Sequence, residues 1–158
     1  MSIRIGDRLP SIKLQEGTPN VTHNMAELFA RKKGVIFAVP GAFTPGCSKK
    51  HLPSFVANVD AIKAKGIDLV VCIAVNDAFV MAAWGESQGV GDRIMMLADP
   101  AAEYTKAIGL EVDSGSLGGT RSKRYSMLVE DSVVKILNIE PDSFGISCSI
   151  AQTILEQI

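Results

Sequence analysis

Residues 34–55 have the sequence GVIFAVPGAFTPGCSKKHLPSF, in which a short apolar run leads through a glycine- and proline-containing segment into a helical pattern. The run 34–40 predicts a buried β-strand, because it is short and rich in β-branched and aromatic side chains. Apolar residues then recur at helical spacing and predict a helix over about 45–65. They are Leu52, Phe55, Val56, Val59 and Ile62. Pro53 lies inside this pattern and is expected to kink the helix rather than end it.

Strand and helix patterns continue to alternate along the rest of the chain. The other predicted strands cover 67–75, 94–99, 124–131 and 133–141, with a tight turn near Asp131 and Ser132. Asn76 is the expected N-cap of a helix that carries Phe79, Val80, Ala83 and Trp84. Shorter helices are predicted over about 101–108 and 149–157, and a glycine- and serine-rich loop over about 111–122. This order predicts one domain over residues 1–158 with an α/β, thioredoxin-like fold, a central mixed β-sheet flanked by helices.

Composition excludes several classes of function. The formal net charge of −1 gives no reason to expect a nucleic acid or an anionic membrane as a partner. The longest apolar run, 69–75, is far shorter than the roughly 20 residues that span a bilayer. Three cysteines and two histidines show no metal-ligand spacing, so neither a metal nor another cofactor is predicted.

The three cysteines have different surroundings. Cys72 lies in the apolar run VVCIAV, which favours a buried strand residue over a reactive thiol. Cys148 lies between two serines, in a polar segment that suits an accessible thiol. Cys47 follows Thr-Pro-Gly at the expected start of a helix. Three cysteines are too few for the disulfide framework of a small secreted protein.

The segment around Cys47 is suited to a reactive thiolate. Thr44 is the expected N-cap and Pro45 the first helical residue, which places Cys47 in the first turn. Free backbone N–H groups and the positive end of the helix dipole stabilise a thiolate there. Gly46 leaves the approach to the sulfur open. From these residues alone, a capped helix start that merely carries a cysteine remains an equal alternative.

The wider sequence resembles a known family. Pro40, Thr44 and Cys47 form the pattern Pro-x-x-x-Thr-x-x-Cys, which resembles the active-site signature of the peroxiredoxins. The string VPGAFTPGCSKKHLPSF (39–55) is similar to the type-five, atypical two-cysteine subfamily. The similarity covers nearly the whole chain. It includes IGDRLPSI (5–12), VNDAFV (75–80), LADP (97–100), KRYSMLVEDSVVKILNIEP (123–141) and GISCS (145–149).

This resemblance implies a thiol-specific peroxidase for hydrogen peroxide and alkyl hydroperoxides, with peroxynitrite as a further candidate substrate, in antioxidant defence and redox homeostasis. Cys47 would be the peroxidatic nucleophile, oxidised to a sulfenic acid, and Cys148 the resolving cysteine. The family's hydrogen-bond donors to the peroxide are a threonine hydroxyl, two backbone N–H groups and an arginine. Thr44 and Arg124 match the two side chains, and Pro40 and Gly46 are the expected substrate-binding residues.

The resemblance also implies thioredoxin as electron donor, homodimers, and a cytoplasmic location with mitochondrial or peroxisomal pools. Three assignments keep alternatives. A plant-type relative carries its resolving cysteine near the position of Cys72. Arg121 competes with Arg124, but lies in the glycine-rich loop. His51, one helical turn after Cys47, either supports that turn, which we favour, or hydrogen-bonds near the site.

Two other functions compete with a peroxidase. A thiol–disulfide oxidoreductase shares the predicted fold, but Cys47 is followed by Ser-Lys-Lys, so the usual Cys-x-x-Cys pair is absent. A redox-sensing or chaperone-like module would keep the fold without turnover. Against it, the four residues of the peroxiredoxin site are all present: Pro40, Thr44, Cys47 and Arg124.

Overall fold

The structure, a computed structural model, describes residues 2–158. Its strands are β1 (Lys13–Glu16), β2 (Thr18–Asn24), β3 (Lys33–Ala38), β4 (Leu69–Ala74), β5 (Met95–Ala98), β6 (Glu111–Asp113), β7 (Thr120–Ser122), β8 (Tyr125–Glu130) and β9 (Val133–Ile139). Its helices are α1 (Met25–Leu28), α2 (Leu52–Ala64), α3 (Ala78–Ser87), α4 (Glu103–Ala107) and α5 (Ala151–Gln157). A π-helical turn, Cys47–His51, directly precedes α2.

Seven strands of this part of the chain form one mixed sheet, in the order β2-β1-β5-β4-β3-β8-β9. The three central strands β3, β4 and β5 are parallel, and the outer strands add to them in antiparallel fashion. β6 and β7 form a separate antiparallel ribbon. The sheet confirms the predicted mixed architecture.

Helices cover both faces of the sheet. Along β3, Val35 and Phe37 point to the face covered by α2, α3 and α5, while Ile36 and Ala38 point to the face covered by α1 and α4. Because both faces are buried, side chains of either direction must be apolar. This is why the central strands are continuous apolar runs. None of the helices in residues 2–158 is long and apolar enough to cross a membrane.

The expected N-cap of α3 is wrong by one residue. Asp77 caps the helix, since its Oδ1 accepts the Val80 N–H at 2.8 Å. The Asn76 side chain instead accepts the Ala42 N–H at 2.9 Å. Both residue types are good N-caps. Because the Asn76 side chain is engaged by the Ala42 N–H, Asp77 is the residue that caps the helix.

The two edges of the sheet differ in how well sequence predicts them. The turn at Asp131 and Ser132 is confirmed, with φ of 49° and 65°, as a tight hairpin requires. The hairpin β1–β2 was not predicted, because β2 is an exposed edge strand without apolar alternation.

The loop predicted over 111–122 is wrong in part, since its two ends pair as β6 and β7.

Candidate active site

Cys47 begins the π-helical turn, and its side chain is completely buried. The Leu52 N–H donates to the Cys47 carbonyl five residues back, which is π-helical geometry. The distortion expected at Pro53 therefore lies in the turn just before it. A proline ring crowds the carbonyl four residues earlier, and a widened turn relieves that contact. Such single π turns are frequent at functional sites.

Ser48, next to the nucleophilic candidate, is held by α3. The buried Trp84 indole N–H donates to the Ser48 hydroxyl oxygen at 3.0 Å, and the Gln88 side-chain amide donates to the Ser48 carbonyl at 3.1 Å. These contacts fasten the π turn to a neighbouring helix. The sequence pattern predicted Trp84 only as an apolar residue of this helix, and it did not identify Gln88.

Thr44 does not cap the helix with its side chain, contrary to expectation. Its hydroxyl donates to the Gly41 carbonyl at 2.7 Å, and its own carbonyl accepts the Ser48 N–H at 2.9 Å. A Cβ on Gly41 would lie 3.1 Å from the Thr44 methyl carbon, tighter than ordinary packing. The turn thus fixes the Thr44 hydroxyl beside the start of the helix.

Arg124 contacts the Cys47 sulfur. Its Nη2 donates to Sγ at 3.3 Å, its Nη1 to His51 Nδ1 at 3.0 Å, and its Nε to the Phe144 carbonyl at 3.3 Å. The arginine is only 3% exposed. A Cβ on Gly46 would lie 3.2 Å from Ile146 Cδ1, tighter than ordinary packing, and 3.4 Å from Arg124 Nη2, so Gly46 packs closely against both side chains. A fixed positive charge on the sulfur favours the thiolate, which is the nucleophilic form.

Arg121, the competing arginine, lies elsewhere. Its Nη1 donates to the Val75 carbonyl at 3.1 Å, and its Nη2 to the Leu117 carbonyl at 2.9 Å. These bonds hold the glycine-rich loop against the end of β4. The structure therefore brings Arg124, and not Arg121, to the sulfur of Cys47.

His51 connects Arg124 to the chain before α5. Its ring is fully buried, and its Nε2 lies 2.9 Å from the Ser149 carbonyl. A carbonyl only accepts, so Nε2 carries the hydrogen and Nδ1 accepts from Arg124. Burial, followed by the nearby Arg124 charge, lowers the pKa of His51 to about 3. His51 is thus a neutral link that orients the guanidinium, one contact away from the sulfur.

The buried, neutral His51 makes stability depend on pH. Its pKa is about 3 in the fold against an ordinary 6.5, so the unfolded chain binds the extra proton first. The stability it confers is complete above pH 6.5 and is lost as the pH falls toward 3. We expect the free energy of unfolding, measured by urea denaturation, to fall by about 2–3 kcal/mol from pH 6.5 to about pH 4.5.

The control for this prediction is the second histidine. His51→Gln should remove most of the slope above about pH 4.5, where few carboxylates titrate. His23→Gln should retain it, because His23 is only half-buried and pairs with Glu16 near the surface. Equal slopes in the two variants would contradict the assignment.

A pocket of about 280 Å³ opens beside Arg124. Four residues singled out in the sequence lie close together there, since Pro40, Thr44, Gly46 and Arg124 all line it. The other lining residues were missed, because they come from two irregular loops without a pattern. They are Ser114, Ser116, Leu117 and Phe144. The pocket can admit a small ligand next to the Arg124 guanidinium.

The remaining cysteines differ in exposure. Cys72 is fully buried in β4, between Phe37 and Met96 of the neighbouring strands, which confirms the prediction of a buried strand residue. Burial raises its pKa well above the usual value. Cys148 is partly exposed, and its thiol donates to the Ile139 carbonyl at 3.5 Å. Burial and then Glu140 raise the pKa of Cys148.

Comparisons with known proteins agree with this geometry. The model of the Redoxin family matches residues 4–155. Peroxiredoxin-2E-2, chloroplastic, of Oryza sativa subsp. japonica is 48% identical over 147 residues, 88% of this chain and 65% of that protein. Peroxiredoxin-2E, chloroplastic, of Arabidopsis thaliana is 47% identical over 146 residues, 88% of this chain and 62% of that protein. The chain thus spans less than two thirds of the length of these relatives.

Solved structures match almost the entire chain. Reduced Prx3 from Vibrio vulnificus in complex with hydrogen peroxide is 49% identical, with a TM-score of 0.93 and 99% of both chains covered. Peroxiredoxin 5 from Alvinella pompejana is 39% identical, with a TM-score of 0.85, 98% of this chain and 96% of that chain covered. These matches confirm the thioredoxin-like fold and are consistent with the type-five subfamily.

The comparisons also correct one expectation and establish the family. The predicted cytoplasmic location, with mitochondrial or peroxisomal pools, is contradicted by the rice and Arabidopsis relatives, which are chloroplastic proteins. The Redoxin match covers more than half of the chain, and the relatives named above are peroxiredoxins, which are peroxidase enzymes. The chain belongs to the redoxin family and, within it, to the peroxiredoxins.

Proposed function

We propose that this protein is a thiol-specific peroxidase that reduces hydrogen peroxide and alkyl hydroperoxides through Cys47. The observation that carries the proposal is the 3.3 Å contact of Arg124 Nη2 with the Cys47 sulfur, beside a pocket of about 280 Å³. A charged donor at this place serves both the nucleophile and an incoming peroxide. The Vibrio vulnificus relative, solved with hydrogen peroxide, supports this substrate class.

In the first step the Cys47 thiolate attacks one oxygen of the hydroperoxide in line with the O–O bond. That bond breaks, the sulfur gains an oxygen, and the leaving oxygen takes a proton and departs as water or an alcohol. Arg124 stabilises the negative charge that moves from sulfur to the leaving oxygen. The Thr44 oxygen, whose hydrogen is donated to Gly41, keeps lone pairs that can accept the peroxide O–H.

In the second step the Cys148 thiol attacks the sulfenic acid, forming a disulfide and releasing water. A thioredoxin-like dithiol then reduces the disulfide and is itself oxidised. A disulfide requires Cα atoms within about 4.4–6.8 Å, so the segment that carries Cys148 must rearrange. Homodimer formation remains a prediction that the molecular mass in solution would test. Turnover of peroxynitrite also remains a prediction, which competition kinetics would test.

Replacing the resolving cysteine should separate attack from turnover. Cys148→Ser should still consume one equivalent of peroxide, because attack needs only Cys47 and its donors. Turnover with thioredoxin should fall to near background, since no intramolecular disulfide is left to reduce. Cys72→Ser is the matched control and should turn over normally. Cys72 lies within the packed sheet between Phe37 and Met96, whereas Cys47 contacts Arg124, which lines the pocket, so Cys72 would have to leave the core to react.

Two measurements test the chemistry as a whole. Peroxide consumption by the reduced protein should be faster than its reduction of a model disulfide, and the reverse would favour a thiol–disulfide oxidoreductase. Peptide mapping after peroxide treatment should recover Cys47 joined to Cys148. A Cys47–Cys72 disulfide, or full turnover in Cys148→Ser, would make the resolving assignment wrong while leaving the peroxidase proposal intact.

A further inference from the structure

The Glu140 carboxylate organises the segment that carries Cys148. Its oxygens accept three consecutive backbone N–H groups, those of Ser147, Cys148 and Ser149, all at 2.9 Å. They also accept the hydroxyl groups of Ser147 and Ser149, both at 2.6 Å. Glu140 is only 1% exposed. Five donors on one buried carboxylate make this segment, residues 147–149, a closed hydrogen-bonded unit, which we call the clamp.

The clamp is continuous with the active site. The Ser149 carbonyl accepts from His51, whose other ring nitrogen accepts from Arg124, and Arg124 donates to the Cys47 sulfur. The backbone adds a second connection, because the Glu140 N–H donates to the Arg124 carbonyl at 3.0 Å. A displacement of Ser149 therefore removes the acceptor that fixes the His51 ring, and with it one anchor of the guanidinium.

We propose that Glu140 is a positioning residue whose carboxylate holds the clamp closed and thereby, through Ser149 and His51, keeps Arg124 against Cys47. The inference deepens the peroxidase proposed above and rests on it for its role in the catalytic cycle. With the clamp closed, Arg124 faces the sulfur and Cys148 is tied down by its own N–H. With the clamp open, Cys148 is free to move, and Arg124 loses support.

The charges explain why a carboxylate is used here. Arg124 is a buried cation, and no carboxylate within the described residues 2–158 forms an ion pair with it. A carboxylate bonded directly to the guanidinium would compete with the thiolate and the peroxide for its donors. Glu140 places negative charge nearby while the clamp occupies its oxygens. Burial alone would raise the pKa of Glu140, but hydrogen bonds from Ser147, Ser149 and Cys148 outweigh it and hold the pKa at about 2.

The coupling must act in both directions. If a closed clamp strengthens the contact between Arg124 and Cys47, then that contact stabilises the closed clamp by the same free energy. When a peroxide oxidises the Cys47 thiolate, the sulfur loses its negative charge, and the contact between Arg124 and Cys47 weakens. The clamp then opens more readily at the stage of the cycle at which Cys148 is needed.

Two alkylation measurements on Glu140→Gln test the proposal. A glutamine turns one accepting oxygen into an N–H donor that faces other donors, so the clamp should open more often. In a Cys47→Ser background, the plateau rate of Cys148 alkylation by iodoacetamide, taken at pH values where the thiol is fully ionised in both proteins, should become at least about tenfold faster, so that loss of the Glu140 charge beside the thiol does not contribute. In a Cys148→Ser background, the midpoint of the pH profile for Cys47 alkylation should move upward by about one pH unit.

The matched control is Glu156→Gln, the same change at an exposed position in α5, which should alter neither measurement. A Glu140→Gln protein that equals this control in either measurement overturns the proposal. If Glu140→Gln does not fold, the double variant Ser147→Ala, Ser149→Ala carries the test, because it removes two donors and keeps the charge. It should shift both measurements in the same directions by a smaller factor, and an unchanged result overturns the proposal. Neither measurement uses peroxide, so a failed peroxidase assay and a failed coupling are distinguishable.

Discussion

Replacement of Cys47 by serine is expected to reduce peroxide consumption to the background rate of a protein without the thiol. Serine has nearly the shape of cysteine and fits the same fully buried position, so packing should be preserved. Its hydroxyl, unlike a thiol, does not ionise near neutral pH, even beside Arg124 at 3.3 Å. The variant keeps the pocket, the guanidinium and both other cysteines, and loses only the nucleophile.

The measurement is peroxide consumption by the reduced variant, with circular dichroism and urea denaturation to show an intact fold. Cys72→Ser serves as the control, since it makes the same chemical change at another fully buried site. Near-normal consumption in Cys47→Ser would refute the proposed nucleophile, because Cys72 and Cys148 would then suffice for the chemistry.

Arg124→Met is expected to cause the second largest loss. Methionine approximates the length of the side chain but removes the charge and the donors to the Cys47 sulfur, His51 and Phe144. Both the thiolate and the leaving oxygen lose stabilisation. The rate of peroxide attack should fall by at least about 1–3 kcal/mol of activation free energy, the scale of one lost charged hydrogen bond.

Arg121→Met provides the comparison in the same chain. It removes the same charge from an arginine that bonds only carbonyl groups of Val75, Leu117 and Gly118, so attack should change much less. Stopped-flow measurement of the single-turnover reaction compares the two directly. A large loss in Arg121→Met with a small one in Arg124→Met would show that the wrong arginine was assigned to the site.

The sequence predicted the structure correctly where a residue pattern is compatible with only one local structure. The apolar runs of β3 and β4 could be predicted because burial on both faces leaves no polar position. The start of the helix at Cys47 followed from Thr-Pro-Gly, although the Thr44 hydroxyl bonds Gly41 rather than the helix. Arg124 was located only by resemblance to the family, since a lone arginine at a strand start carries no signal of its own.

Sequence could not predict features that depend on long-range contacts. Adjacent Asn76 and Asp77 are both capable of capping, and the distant Ala42 N–H engages Asn76. Ser114 and Phe144 reach the pocket from irregular loops that have no periodicity. The role of Glu140 was equally hidden, because a glutamate at the end of a strand is ordinarily exposed.

The contact of Trp84 with Ser48 provides a built-in optical signal. The protein has one tryptophan, and its buried indole bonds the residue next to Cys47 in the π-helical turn. Oxidation of Cys47 or unwinding of this turn changes the surroundings of that indole and of no other. The fluorescence of the unlabelled protein is therefore expected to report changes at Cys47 and in this turn, without a background from other tryptophans.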